Sequence, residues 1–286
     1  MIPEVATIIA DLPTTLAPML DQPLRPQGSA SEQSRQVLVT QGTGQGAIDP
    51  PNRLSLDAEG NIFVADYITG RIQKFDPEGT FIFSWISEGD TPLLSLAVTR
   101  DGQVLASRNN GVQVYDGNTG EKIGAIQSGT FGGFENLIVL PDRSMLGIPW
   151  AKDALVRLNT EGNKMMQIDR IIAEAGGSGD PIRLAVDGLG KIYILARPGD
   201  AVFVYDSTIK FLDRLIIEEG TPFGDIAVAP SGEIYVAAFS NIQIFNSAGA
   251  PIGQIDQAAG VHDMQFTDDG DLITVNSAGE VVKYDR

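Results

Sequence analysis

The sequence predicts an all-β protein that is built from one repeated unit. First, residues 52–85 contain four short runs in which apolar and polar residues alternate, as they do in half-buried strands. Second, the turns at residues 57–60 and 76–79 each begin with Asp and end with Gly, which suits tight antiparallel hairpins. Third, the pattern returns along the chain about every 42 residues. Four strands per unit at such a period are typical of a β-propeller, so we predict six four-stranded antiparallel blades.

Two residues mark each predicted blade. The turn after the first strand is marked by Gly60, Gly102, Ser144, Gly190, Gly232 and Gly270. The end of the third strand is marked by the large residues Phe75, Tyr115, Leu158, Tyr205, Phe245 and Tyr284. The first series advances by 42, 42, 46, 42 and 38 residues, and the second by 40, 43, 47, 40 and 39. Because the two series stay in phase, they indicate six blades rather than a chance periodicity.

The sixth blade has three predicted strands of its own, since the chain stops at Arg286, soon after Tyr284. An alternating run at residues 36–40 precedes the first blade and belongs to no blade of its own. We predict that this N-terminal run pairs with the last blade as its outer strand and closes the ring. Closure would remove the free strand edge that an open ring exposes.

Residues 1–33 differ from the repeats, and we expect an N-terminal tail or linker there, with the propeller at residues 34–286. Val5, Ile8, Ile9 and Leu12 could lie on one side of a short helix, which could join the protein to a larger assembly. The competing interpretation is a flexible tail, because residues 21–34 are rich in Pro, Gly and Ser, as linkers are. No basic region precedes an apolar one, so this chain has no recognisable signal peptide.

Composition narrows the classes of function. The chain has 37 acidic and 20 basic residues and a formal net charge of −17, and such a surface repels phosphate backbones. We therefore expect no nucleic-acid partner. The absence of cysteine excludes disulfides, thiolate nucleophiles and cysteine zinc sites. No apolar run approaches the ~18 residues of a membrane span, so we expect a soluble protein. The sequence does not indicate its cellular compartment.

The first blade resembles the NHL repeat, whose units read roughly G-N-I-Y-V-A-D, then R-I-Q-V-F, then D-x-x-G. The matching residues are NIFVAD at 61–66, RIQKF at 71–75, and Asp76 with Gly79. The fifth and fourth blades repeat the pattern as GEIYVAAFSNIQIFNSAG and GKIYILARPGDAVFVYD, and the other three are weaker. The resemblance covers about residues 34–286 and implies a six-bladed propeller. It leaves function open, because such propellers include protein-binding platforms, RNA-binding domains, sensors, and metal-dependent lactonases and lyases.

The loop between the second and third strands varies from blade to blade. Variable loops on a constant scaffold are where folds of this kind place recognition, and Tyr, Trp and Arg are enriched in binding hot spots. The candidate binding residues in these loops are Tyr67, Arg108, Trp150, Arg197 and Phe239. They favour a non-catalytic scaffold that binds a protein or peptide through this face, with no catalytic residue and no cofactor.

The alternative is a calcium-dependent hydrolase or lactonase with its site at the channel mouth. Alignment on the turn residues places Arg53, Ser95, Leu137, Arg183, Asp225 and Asp263 at the edge of the channel. The resemblance to lactonase-like propellers implies oxygen ligands for calcium, for which Asn136, Asp225 and Asp263 are the candidates. Carboxylates facing arginines also suit a structural ion network.

The one histidine of the chain, His262, precedes Asp263 and could act as a general base, or it could be an ordinary loop residue. A single histidine excludes the multi-histidine zinc site of the amidating lyases that share this fold.

Overall fold

The alternating runs form strands that assemble into six separate four-stranded antiparallel sheets. A computed structural model describes residues 34–50, 52–126, 132–197, 201–217 and 224–285. The predicted N-terminal helix, and the predicted linker except for its last residue, lie outside the described residues. Within the described part of the chain, the sheets are the six blades of a β-propeller.

The first three blades follow one another along the chain. Blade 1 comprises β2 (Asn52–Leu56), β3 (Ile62–Asp66), β4 (Arg71–Phe75) and β5 (Phe81–Ile86). Blade 2 comprises β6 (Leu93–Val98), β7 (Gln103–Arg108), β8 (Gly111–Asp116) and β9 (Lys122–Ile126). Blade 3 comprises β10 (Phe134–Val139), β11 (Met145–Pro149), β12 (Ala154–Leu158) and β13 (Lys164–Asp169).

A four-residue helix, α1 (Ile171–Glu174), lies in the connection that leads to the remaining blades. Blade 4 comprises β14 (Asp180–Val186), β15 (Ile192–Arg197), β16 (Ala201–Tyr205) and β17 (Phe211–Ile216). Blade 5 comprises β18 (Asp225–Val228), β19 (Ile234–Ala237), β20 (Ile242–Phe245) and β21 (Pro251–Ile255). Blade 6 comprises β22 (Val261–Phe266), β23 (Leu272–Asn276), β24 (Val281–Tyr284) and the N-terminal strand β1 (Arg35–Val39).

The N-terminal strand closes the ring as predicted. β1 pairs antiparallel with β24, from Arg35 opposite Tyr284 to Val39 opposite Val281. Val39 is buried with Ile48, Leu54 and other residues at the junction of blades 6 and 1. The last blade therefore receives its outer strand from the opposite end of the chain, and the ring has no open junction.

The core lies between the blades. The first strand of each blade packs against the first strands of the two neighbouring blades, around a central channel; we call these six the inner strands. Six clusters of buried apolar side chains fill the six junctions. Phe63 and Ala65 of blade 1, for example, pack with Leu96 and Val104 of blade 2. Each blade thus buries both faces against its neighbours, which a lone sheet cannot do.

One sequence marker is wrong by one residue. Gly60 and the equivalent glycines of four other blades have positive φ, between 81° and 96°. In blade 3 the positive φ of 66° belongs to Arg143. The Arg143 N–H donates to the Leu140 carbonyl at 2.8 Å, just as the Gly60 N–H donates to the Asp57 carbonyl in blade 1. The marker in blade 3 is therefore Arg143 and not Ser144.

This shift corrects the predicted channel edge of blade 3. Asn136 lies opposite Ile148 of the second strand in blade 3, and Arg53 lies opposite Ala65 of the second strand in blade 1. Because these two pairs are equivalent, Asn136 takes the channel-edge position. Leu137 instead points into the apolar cluster between blades 2 and 3. The error lies in the sequence marker: the turn of blade 3 has the same hydrogen bonds as the turn of blade 1, with Arg143 in place of the glycine, so counting from Ser144 shifts the predicted channel edge by one residue.

Candidate functional site

The loops between the second and third strands share one end of the propeller with the connections between blades. In an antiparallel meander, alternate turns lie at the same end. The inner strands also begin at this end, so the loops surround one mouth of the channel. We call this end the loop face. The channel encloses about 230 Å³ and is lined by the inner strands of all six blades.

The structure separates the five loop residues by exposure. Trp150 and Phe239 are 42% and 71% exposed, and Arg197 is also exposed. Tyr67 is half-buried, and its ring lies 5.6 Å from the guanidinium carbon of Arg53. Arg108 is buried. Three of the five residues therefore present their side chains fully on the loop face, and their role in binding stays a prediction.

Arg108 points inward and connects two segments. Its Nη2 donates to the Ser87 hydroxyl at 2.7 Å, and its Nη1 donates to the Thr91 carbonyl. These bonds hold the connection between blades 1 and 2. Gly70 suits its place beside the guanidinium, because its φ is 69° and an added Cβ would meet both Arg108 Nη2 and the Ser87 hydroxyl. Arg108 can therefore support the loop face from inside, and its predicted role in binding stays a prediction.

Ile68 is a loop-face residue that sequence reasoning missed. It lies at the tip of the loop between β3 and β4 and is 70% exposed. Together with Trp150 in blade 3 and Phe239 in blade 5, it places an exposed apolar side chain on every second blade. The signal was an apolar residue at the centre of a turn, where a polar one is usual.

At the channel edge, polar side chains link each blade to the next. Each of four side chains accepts a hydrogen bond from a backbone N–H in the inner strand of the following blade. The pairs are Ser95 with Leu137 at 3.0 Å, Asn136 with Leu184 at 2.9 Å, Asp225 with Met264 at 2.7 Å, and Asp263 with Leu54 at 3.2 Å. Three of the four acceptors are the predicted calcium ligands, and they therefore already serve as contacts between blades.

Arg53 and Arg183 occupy the other two channel-edge positions and cannot accept such bonds. Arg53 Nε donates to the carbonyl of Leu94 at 2.5 Å. Arg183 lies 3.5 Å from Glu135 and 3.6 Å from Asp225, measured from guanidinium nitrogen to carboxylate oxygen. The predicted ion network is therefore present at this mouth, with Glu135 supplied by the bulge of β10.

Burial and neighbouring charges shift the pKa values in this cluster. Burial, and next the Asp263 carboxylate, raise the pKa of Asp225 well above its usual range; burial also raises the pKa of Asp263. Because the carboxyl groups of Asp225 and Asp263 repel each other when both are ionised, they favour sharing one proton. Burial, followed by repulsion from Arg183, lowers the pKa of Arg53 to about 10.

His262 is held neutral beside these groups. It lies where the bulge of β22 turns the chain, and its Nδ1 donates to the Gly260 carbonyl at 3.1 Å. Burial, together with the positive charges of Arg53 and Arg183, lowers the pKa of His262 to about 4. A base is most effective when its pKa lies near the working pH, so this environment does not favour proton abstraction at neutral pH. The general-base role of His262 stays a prediction.

Within the described ranges, no group of three or more His, Asp or Glu side chains is placed to hold a metal ion. The oxygens of Asn136, Asp225 and Asp263 each bond a backbone N–H, and the two carboxyl groups favour a proton. These donors do not converge as a closed oxygen cage requires. Calcium binding stays a prediction from the sequence.

Comparisons with known proteins support the fold. No family model matches the chain, and no curated protein matches it. A streptogramin B lyase structure superposes with a TM-score of 0.66 at 10% identity, covering 88% of this chain and 97% of that one. A chain in a crystal structure of the mitotic checkpoint complex gives 0.62 at 13% identity, covering 99% of both chains.

At such low identity these similarities show the fold alone. The chain is a six-bladed β-propeller, and its resemblance to the NHL repeat remains a prediction. In the described part of the chain, no helix is long and apolar enough to cross a membrane.

Proposed function

We propose that the protein is a non-catalytic binding scaffold that recognises a protein or peptide through its loop face. The observation that supports this most is the set of exposed apolar side chains Ile68, Trp150 and Phe239 on blades 1, 3 and 5. Single exposed apolar residues are ordinary on a protein surface. Three at one end, on alternate blades around the channel, offer separated anchor points to one partner.

Backbone hydrogen bonds join two of these loops to neighbouring connections: the Trp150 N–H donates to the Gly133 carbonyl at 3.0 Å, and the Phe239 carbonyl accepts from the Gly260 N–H at 2.9 Å. Arg108 ties the second blade to the connection before it, and polar side chains at the channel edge link successive blades. A partner would thus meet apolar contacts whose backbone is already ordered, which lowers the entropy cost of binding. A similar fold also occurs in a chain of the mitotic checkpoint complex, which is a protein assembly.

The test compares two ends of the same molecule. Trp150→Asp combined with Phe239→Asp places charge on the loop face. Leu189→Asp is the matched control, because Leu189 is 87% exposed in the turn between β14 and β15, at the opposite end. The immobilised wild-type protein is used to capture partners from extract of the source cells, and a captured protein is then purified for affinity measurement.

We expect the loop-face variant to bind that partner at least about tenfold more weakly, since losing one hot-spot side chain costs at least ~2 kcal/mol. The control should bind as the wild type does. Equal binding by the wild type and a folded loop-face variant would count against the proposal, and so would loss of binding in the Leu189 variant alone.

A further inference from the structure

The channel mouth contains a cluster of buried and half-buried polar groups that the proposed loop-face contacts do not use. We call it the mouth cluster; its members are Arg53, Glu135, Arg183, Asp225, His262 and Asp263. They come from blades 1, 3, 4, 5 and 6 and meet where the inner strands begin. Buried polar groups are normally satisfied by hydrogen bonds, so each unsatisfied atom in such a cluster calls for a physical explanation.

The two guanidinium groups are oriented by backbone carbonyls. Arg53 donates to the carbonyls of Leu94 and Asn52, and Arg183 Nη1 donates to the carbonyl of Ile182 at 2.8 Å. Among the described residues, neither arginine makes a hydrogen bond to a carboxylate. The carbonyl bonds therefore fix the side chains while leaving other N–H groups of both forks uncommitted.

The nearby carboxylates are too far from Arg183 to saturate it. Glu135 and Asp225 lie 3.5 and 3.6 Å away, whereas charge-assisted hydrogen bonds measure about 2.7–2.9 Å. Arg183 is 6% exposed, and its Nε, which lies 3.6 Å from Asp225 Oδ1, makes no hydrogen bond within the described ranges. A buried donor without a partner lowers the stability of the fold, and a bound acceptor would satisfy that donor.

His262 adds an unsatisfied hydrogen-bond acceptor, whereas Arg183 has an unsatisfied donor. Because Nδ1 carries the proton that bonds Gly260, Nε2 presents a lone pair, and it too is buried without a partner in the described part of the chain. Arg53 and Arg183 both act on this ring as positive charges. An anion bound among these groups would offset that field and let Nε2 take up a proton and become a donor.

We propose that the mouth cluster binds a carboxylate group between Arg53 and Arg183, beside His262. The planar guanidinium fork matches the two oxygens of a carboxylate. The channel below, whose lining includes Asp225 and Asp263, encloses about 230 Å³. The carboxylate could belong to a free organic acid or to the end of a peptide. This proposal goes beyond loop-face binding and does not depend on it.

The single histidine makes the site directly observable. Protein labelled with ¹⁵N-histidine is titrated at pH 7 with sodium acetate, with triglycine, and with triglycine amide, against sodium chloride at equal ionic strength. We expect a saturable shift of the His262 ring resonances with acetate and triglycine, and none with the amide or chloride. Saturation at lower concentration with triglycine than with acetate would assign the carboxylate to a peptide end, and the reverse order to a free acid.

Variants localise the effect. Arg183→Gln removes one of the two guanidinium groups. We expect the acetate concentration that half-saturates the response to rise at least about tenfold. Arg214→Gln is the matched control, because Arg214 is an exposed residue of the outer strand in the same blade and its loss changes the net charge equally. This control should respond as the wild type does.

The wild-type titration decides the proposal even if Arg183→Gln does not fold. No saturable response to either carboxylate in the wild type would overturn it, as would an unchanged response in a folded Arg183 variant. A response equal in size to that with chloride would identify an adventitious ion only, and would also overturn it. The Trp150 and Phe239 variant should keep the response, so failure here is distinct from failure of loop-face binding.

Discussion

At the scale of single residues, position around the channel decides what a polar side chain does. Asn136 and Asp225 lie at equivalent positions of blades 3 and 5, and each accepts an N–H from the following blade. Arg183 is at the same position in blade 4 but can only donate, so it contacts Asp225 and Glu135 instead. The residue types alone suited a calcium site or an ion network, and the contacts between blades favour the network.

The lowered pKa of His262 predicts how stability depends on pH. The folded protein binds this proton only near pH 4, whereas the unfolded chain binds it near pH 6.5. Between these values the unfolded chain holds more protons, so the free energy of unfolding that His262 contributes is complete above pH 6.5 and falls as the pH drops toward 4.

His262→Gln removes this contribution while keeping a polar side chain. We expect the difference in unfolding free energy between wild type and variant, measured by urea denaturation, to shift in favour of the variant from pH 7 to pH 4.5. Asp225 and Asp263 have raised pKa values and act in the opposite direction, but they are present in both proteins. A difference that stays constant over this range would show that His262 keeps an ordinary pKa.

At the scale of elements, the turn between β10 and β11 departs from its five counterparts. Arg143 adopts the positive φ that glycine adopts in the others, which is unfavourable for a residue with a Cβ. The turn is otherwise regular, since Leu140 and Arg143 make the backbone hydrogen bonds that Asp57 and Gly60 make in blade 1. The replacement of the turn glycine by Arg143 thus hides the true register of blade 3 from an alignment on glycine, and Asn136 takes the channel edge.

Arg143→Gly should therefore stabilise the protein by about 0.5–1 kcal/mol, because relief of the backbone strain exceeds the added entropy of the unfolded chain. Arg143→Ala keeps the strain and should give no such gain. Thermal unfolding of the two variants distinguishes the effect of φ from the loss of the side chain. Equal stability of the Gly and Ala variants would contradict a strained turn.

At the scale of the whole molecule, stability depends on closing the ring. β1 supplies the outer strand of blade 6, and Val39 fills the junction with blade 1. Without β1, the edge of β24 would be open to pairing with another chain. The closing strand comes from a distant part of the sequence, so the two ends of the propeller support each other.

Deletion of residues 34–41 should lower the melting temperature by more than about 10 °C or produce oligomers, because it exposes this edge and part of the junction. Deletion of residues 1–33 is the control, and we expect it to leave the melting temperature unchanged. Calorimetry and light scattering report the two outcomes. A monomeric protein lacking 34–41 that melts at the wild-type temperature would contradict the role of β1.

The sequence by itself determined the number of blades, the four strands in each, and the closing strand. These depend on local alternation and on a repeat period, which are written along the chain. It also indicated the variable loops, where Trp150 and Phe239 are exposed as expected. These features need no knowledge of which residues meet across blades.

Only the tertiary structure decided the inward direction of Arg108, the exchange of Leu137 for Asn136 at the channel edge, and the grouping of the mouth cluster. In blade 3 Arg143 takes the place of the turn glycine, so an alignment on Ser144 is one residue out of register, and a shift of one residue turns a side chain to the other face. The pKa of His262 depends on arginines from two other blades. Such contacts arise from closure of the ring, which brings together residues far apart in the chain.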